Sequence, residues 1–219
     1  MVAAPQTPSA RFRAALLEHI PAHAAAMGWT EPALKAAAGQ AGLSEGEALL
    51  ACPNGVADLM DSFAAQADAA MLERLSEIDL PAMRVRDRVK AAVLARLEVQ
   101  GPYKEACRAM HRALTRPTRA PLAAKLVWRT ADAIWRELGD TSTDENFYSK
   151  RVLLAGVLGA SYARWFSDDS PEMEATEAFV EARIENIMGI EKAKARFKPL
   201  SETAETAIAI AARLRYGGR

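Results

Sequence analysis

Aromatic side chains are scarce in this chain, only 6% of 219 residues, although half of all residues are hydrophobic. Strands favour β-branched and aromatic residues, so an alanine-rich chain short of rings points away from sheets and toward closely packed helices. Cysteine is nearly absent too. Cys52 and Cys107 lie far apart and form no CxxC, which excludes a disulfide framework and reads as reduced core thiols of a cytosolic-type compartment. Neither sign of charge prevails, since 28 Lys and Arg balance 28 Asp and Glu, so any attraction to nucleic acid or an anionic surface must be local. No apolar run reaches the ~18 residues of a membrane-spanning helix. The opening stretch MVAAPQTPSARFR lacks the apolar core of a secretory signal, and residues 1–9 read as a disordered tail. The pairings that carry chemistry are missing as well: no Ser/His/Asp or Cys/His arrangement, no glycine-rich phosphate loop and no ExxH repeat. His19 and His23 stand four apart, but no third ligand is near and Pro21 disturbs the turn between them. Lone His111 reads as structural. The expectation is a protein without catalytic, metal or cofactor residues.

What is present is one amphipathic segment after another. Residues 10–27 form a first helix that Pro21 should kink or end. Glu31 to Ala38 and Glu45 to Ala51 are short helices joined by the turn Ala41 to Ser44, and Asn54 can cap a longer helix running through Met71. Two short helices around a glycine-containing turn make a helix-turn-helix, and this turn resembles that of TetR-family regulators. The charges contradict a DNA reader. Between Gly28 and Leu72 six acids face the single base Lys35, and Glu45 and Glu47 occupy the would-be recognition helix. A helix from Pro81 carries Arg84, Arg86, Arg88, Lys90 and Arg96, read as a solvated basic face. Gly101-Pro102 breaks it. Helices follow over Tyr103 to Leu114 and Ala123 to Leu138, the latter holding Leu126, Val127, Ile134 and Trp135.

The most distinctive stretch is Gly139 to Arg151, GDTSTDENFYSKR. Gly139 stops one helix. Ser142 with Glu145 fits a capping box, so the next helix should start near Ser142. On it Asp144, Phe147, Tyr148 and Arg151 fall at i, i+3, i+4 and i+7, one stripe whose composition suits an interface hot spot. The same stripe would also serve as a local cap on the core. Val152 to Phe166 is apolar nearly all round, predicting a buried helix in which Gly156 and Gly159 admit another backbone or a ligand. Asp169 to Glu172 starts a further helix. Pro199 opens a final amphipathic segment over 199–216, with Ile208, Ile210 and Leu214 as its large apolar side chains and Arg213 and Arg215 nearby. It suits reversible attachment to an anionic membrane surface or docking on its own bundle.

Several motifs together carry a resemblance. Pro21 to His23, Gly28 to Thr30, Gly42 to Ser44, Asp132 with Ile134-Trp135, Gly139-Asp140 with Ser142 to Asp144, Tyr148 with Arg151, Asp168 to Ser170, and Arg183 with Asn186 and Met188 resemble the ubiquinone-biosynthesis accessory family, member nine of the coenzyme-Q set. The likeness spans roughly Pro21 to Arg196. It implies an all-α, TetR-regulator-like homodimer with a helix-turn-helix domain over 10–64, not DNA-binding, and a lipid-binding and dimerisation domain over 65–196. It implies no catalysis. The expected ligand is an isoprenoid quinone or acyl lipid, in a pocket placed at Leu126, Val127, Leu154, Gly156, Leu158 and Gly159. The expected partner is the di-iron hydroxylase of demethoxyubiquinone, on a surface of Ile134, Trp135, Asp144, Phe147, Tyr148 and Arg151. The resemblance also favours the membrane for Ile208, Ile210, Arg213, Leu214 and Arg215, hence a cytoplasmic protein held peripherally on a bacterial-type inner membrane, or its mitochondrial matrix counterpart. Phe147 stands where the family often has tryptophan, and Ser149-Lys150 replaces a more usual Thr-Arg. A ligand-responsive transcription regulator of the same fold is the alternative.

Overall fold

The structure is a computed structural model that describes residues 7–143 and 145–187. Residues 1–6, Asp144 and residues 188–219 lie outside it, and with them most of the expected tail, the 199–216 segment and all five membrane-assigned residues. The described residues are helical and contain no strand.

Helix α1 (Pro8–Met27) is capped by the Thr7 hydroxyl, which accepts from the Ala10 amide, and has Pro8 in its first turn. It therefore begins inside the stretch read as tail. Pro21 neither ends it nor falls at a boundary; the helix runs six residues further. The lost backbone bond is offset by packing, since Leu16, Leu17, Ile20 and Ala24 are all buried around it. Helix α2 (Glu31–Gln40) is capped by Thr30, and α3 (Glu45–Ala51) by a reciprocal Ser44–Glu47 capping box. Helix α4 (Val56–Ser76) starts one residue after Gly55, and Asn54 instead binds Asp58. Trp29 joins this unit to the rest: it is 1% exposed and its indole N–H donates to the Ala106 carbonyl at 2.9 Å.

Helices α5 (Val85–Glu98), α6 (Lys104–Leu114), α7 (Ala120–Glu137) and α8 (Glu145–Phe166) follow, joined by 3-10 turns at Leu80–Ala82, Gly101–Tyr103 and Pro117–Arg119. Pro81 sits in the first of these turns, so α5 begins later than its proline suggested. After a turn at Pro171–Met173, a last helix, α9, occupies 174–187 of the described residues. The Asp168 carboxylate binds both the amide and the hydroxyl of Ser170 and of Thr176, which fixes this corner and holds its pKa far below the usual carboxylate range.

Two apolar cores result. One gathers α1 to α3 and the start of α4 with Leu97, Cys107, Met110 and Trp165. The other gathers Met71, Val93, Ile134, Leu154, Leu158 and Ile184. The division expected near residue 64 falls within α4, and α4, α5 and α8 contribute to both cores. A polar seam crosses between them. Asp68 accepts from Thr130 at 2.7 Å and Arg129 at 3.0 Å, and Arg96 lies 3.3 Å away. Arg96 is 3% exposed, so the basic run on α5 is not wholly a solvated face: its last member is turned inward to a buried carboxylate.

Candidate functional site

Helix α7 ends at Gly139, whose φ of 79° is open to glycine at little cost. The Gly139 and Asp140 amides bond back to Arg136 and Trp135, satisfying the last carbonyls of α7 and turning Asp140 toward α8. Helix α8 runs from Glu145, whereas a cap at Ser142 predicts a start at Thr143, which is not helical. Ser142 is engaged elsewhere: its hydroxyl donates to Asp140 at 2.8 Å and accepts from Lys150 at 2.8 Å.

Arg151 is the centre of this joint. It donates from Nε to Asp132 at 2.7 Å and from Nη1 to Asp140 at 3.1 Å and to the Phe147 carbonyl at 3.0 Å. Its guanidinium also lies 3.5 Å from the Phe147 ring centroid. Burial would raise the Asp140 pKa, but the hydrogen bonds from Lys150, Ser142 and Arg151 prevail and bring it down to about 2. Asp132 and Asp140 are both matched by the Arg151 cation across the α7–α8 contact.

Of the six residues expected to form a partner surface, the structure presents some and withholds others. Ile134 is fully buried in the second core and Arg151 is 1% exposed, so neither presents its side chain at the surface. Asp144 lies outside the described residues. Trp135 is half-buried, its indole N–H donating to the Lys150 carbonyl at 3.0 Å. Tyr148 is 63% exposed, in edge contact with the half-buried Phe147, ring centroids 5.1 Å apart. Two residues join them that sequence reasoning passed over: Trp128, 6.1 Å from the Tyr148 ring, and exposed Val152, one turn beyond Tyr148. The signal for Trp128 was its spacing, since Trp128, Asp132 and Trp135 fall at i, i+4 and i+7 of α7.

Behind this surface lies a cavity of about 450 Å³, within the range of small-molecule sites. Val85 and Val89 of α5, Trp135 and Leu138 of α7, Leu153, Leu154 and Val157 of α8, and Ile184 and Ile187 of α9 line it, with Arg86, Arg88, Asp140 and Lys150 among its polar residues. Leu154 is the one expected pocket residue on this wall. Leu126, Val127 and Leu158 are core or near-core side chains away from it. Gly156 and Gly159 face outward, with nothing within 4 Å of where a Cβ would stand, so no other described segment of the chain packs closely against them. Gly156 borders a separate groove with Val152, Arg183 and Asn186. Helix α8 is therefore not buried all round; it keeps an open strip.

At the other end, α3 shows Glu45, Leu49 and Leu50 at the surface, the leucines 66% and 55% exposed. Asp61 and Asp68 turn inward to Lys125, Arg129 and Arg96 of α7 and α5, so they add no charge to that face.

Residues 120–191 match the model of the COQ9 family, a span that holds α7, α8, the Arg151 cluster and the aromatic surface. The chain is 29% identical over 187 residues to the ubiquinone biosynthesis protein COQ9 of Bos taurus, mitochondrial, and to that of Homo sapiens, covering 82% of this chain and 57% of each relative. This chain is similar to the COQ9 proteins. The COQ9 protein of Rattus norvegicus is 30% identical over 187 residues. The chain spans a little over half the length of these COQ9 relatives. Among solved structures, a TetR transcriptional regulator from Nitrosomonas europaea aligns with a TM-score of 0.65 and 17% identity, over 80% of this chain and 97% of the regulator. That likeness establishes a TetR-like all-α fold.

Proposed function

We propose that this chain is a non-catalytic lipid-binding accessory protein of ubiquinone biosynthesis. It holds an isoprenoid quinone intermediate or acyl lipid in the cavity between α5, α7, α8 and α9, and presents it to a di-iron hydroxylase docked on Trp128, Phe147 and Tyr148. The observation that carries this reading is the sharing of two helices. Trp135 and Lys150 wall the apolar cavity, while half-buried Trp128 stands about two turns back along α7 and half-buried Phe147 and exposed Tyr148 stand less than one turn back along α8. The names of the COQ9 relatives support the pathway. A homodimer packed along the open strip of α8, at Gly156, Gly159 and Ala163, belongs to the same proposal, because small residues let a second helix approach closely. So does peripheral attachment to the membrane that holds the lipid; among the described residues no helix is long and apolar enough to cross one. A transcription regulator would share the fold, but the outward face of α3 offers Glu45 and two leucines where phosphate contacts need Lys or Arg.

The test is organic extraction and mass spectrometry of lipid from purified protein. Leu154→Trp, which fills the cavity, should lower the amount recovered several-fold while the helical circular dichroism persists. Undiminished lipid in that variant would sink the cavity assignment.

A further inference from the structure

We infer that the charged part of the cavity lining selects an anionic head group, so that its preferred occupant is an amphiphile ending in a carboxylate or a phosphate. This rests on the lipid-binding reading and narrows it. Four charged residues belong to the lining: Arg86, Arg88, Lys150 and Asp140. The single acid among them is already neutralised. The Asp140 side chain is 4% exposed and receives both Lys150 and Arg151.

The two arginines have no such partner. Arg88 is pinned by backbone, donating from Nε to the Met83 carbonyl at 2.9 Å and from Nη2 to the Pro81 carbonyl at 3.0 Å. Among the described residues no carboxylate lies within ion-pair distance of it. Carbonyls orient a guanidinium without cancelling its charge. Arg86 is half exposed, its one ion pair a 3.4 Å approach to its neighbour Asp87. Glu177 and Glu181 of α9 bind Lys90 at 2.9 and 2.8 Å, and Arg86 acts on Glu181 only through longer-range charge attraction. A lining with three cations, one acid and many apolar side chains matches a hydrocarbon tail with an acidic head, and guanidinium groups recognise carboxylate and phosphate through paired donors. A neutral quinone ring competes for the same wall but gains little from these cations.

The experiment uses the full chain stripped of its own lipid and loaded with the neutral fluorophore N-phenyl-1-naphthylamine. Hexadecanoate, hexadecyl phosphate, hexadecanol and inorganic phosphate are the competitors, at neutral pH. Displacement by hexadecanoate or hexadecyl phosphate at concentrations about tenfold or more below that of hexadecanol is expected, a preference of ~1.4 kcal/mol. The tighter of the two assigns the carboxylate or the phosphate class, and inorganic phosphate alone should displace nothing. Arg86→Gln should remove much of the preference and Arg86→Lys should keep it; Arg88→Gln serves as the second variant. Equal displacement by all three amphiphiles, or a preference unchanged in both glutamine variants, overturns the head-group inference while leaving lipid binding standing. Failure of every amphiphile to displace the fluorophore overturns the lipid reading and this inference with it.

Discussion

At the helix-turn-helix end, nearly every acid has a task inside the protein. Glu47 closes the capping box of α3, Glu31 accepts from the Val56 amide at the start of α4, Asp58 holds Asn54, and Asp61 and Asp68 grip α7. At the cavity end the carboxylates Asp132 and Asp140 are equally engaged, but there the leftover groups are cations and rings: Arg86, Arg88, Tyr148 and Trp128. The contrast shows that the fold of the helix-turn-helix end does not depend on the charges of its outward face. The seat of α3 depends on buried Ala48 and Ala51 and on Trp29 beneath the unit, none of which faces outward. Its outward face can carry acids and leucines without loss of fold. At the cavity end, the support and the surface are built from the same stretch of α8, so the two are harder to separate.

The comparison breaks most visibly at Arg151. Arg151→Ala leaves Asp132 and Asp140 facing each other without their shared cation. Removing one partner of a buried pair costs about 3–5 kcal/mol. Urea unfolding at neutral pH should show a loss of that order. A loss below ~1 kcal/mol would mean that solvent reaches the joint and that Arg151 is a surface residue after all.

A smaller effect is expected at the opposite end. Ser44→Ala removes the hydroxyl that accepts from the Glu47 amide, and N-cap losses of this kind cost about 1 kcal/mol. The loss should stay local: hydrogen exchange should quicken in α3 and remain unchanged in α7 and α8. Faster exchange across the cavity helices would show that the two ends unfold as one unit and that their separate roles have no structural basis.

Much of this was legible in the sequence, and the limits are instructive. Helix α3 was placed to the residue, because Ser44, the acids after it and Pro53 are local signals that act on the backbone within one turn. The start of α8 was placed too early because Ser142 has two competing sets of partners. A capping box competes with Asp140 and Lys150, and the second of these is set by a turn that only the folded chain closes. The stripe of Phe147, Tyr148 and Arg151 was read correctly as one face of a helix, yet spacing alone does not say which edge of that face is covered. Asp132, nineteen residues earlier in the chain, covers Arg151 and leaves Tyr148 open. Gly156 and Gly159 suggested a close approach from within; they lie on the outer strip, and the cavity formed one turn around the helix, beside Leu154 and Val157.

The smallest effect on stability is expected at Tyr148, and it sharpens the comparison most. The ring is 63% exposed and touches Phe147 and Trp128 only at its edges and flanks. Truncation at such a surface position usually changes stability by no more than ~0.5 kcal/mol, so Tyr148→Ala should melt almost with the parent protein. Its consequence for binding should be far larger. Aromatic residues at the centre of an interface commonly contribute ~2 kcal/mol or more, about thirtyfold in affinity, because they exclude water over a large rigid area. Surface plasmon resonance against a purified di-iron hydroxylase, run beside thermal melts, separates the two quantities. Arg151→Ala cannot serve here, since lost binding would accompany a lost joint. Trp128→Ala can, being on the other helix of the same patch. If both aromatic variants keep their melting temperature and bind the hydroxylase as the parent does, the exposed rings are not its docking surface, and the cavity must hand over its lipid by another face.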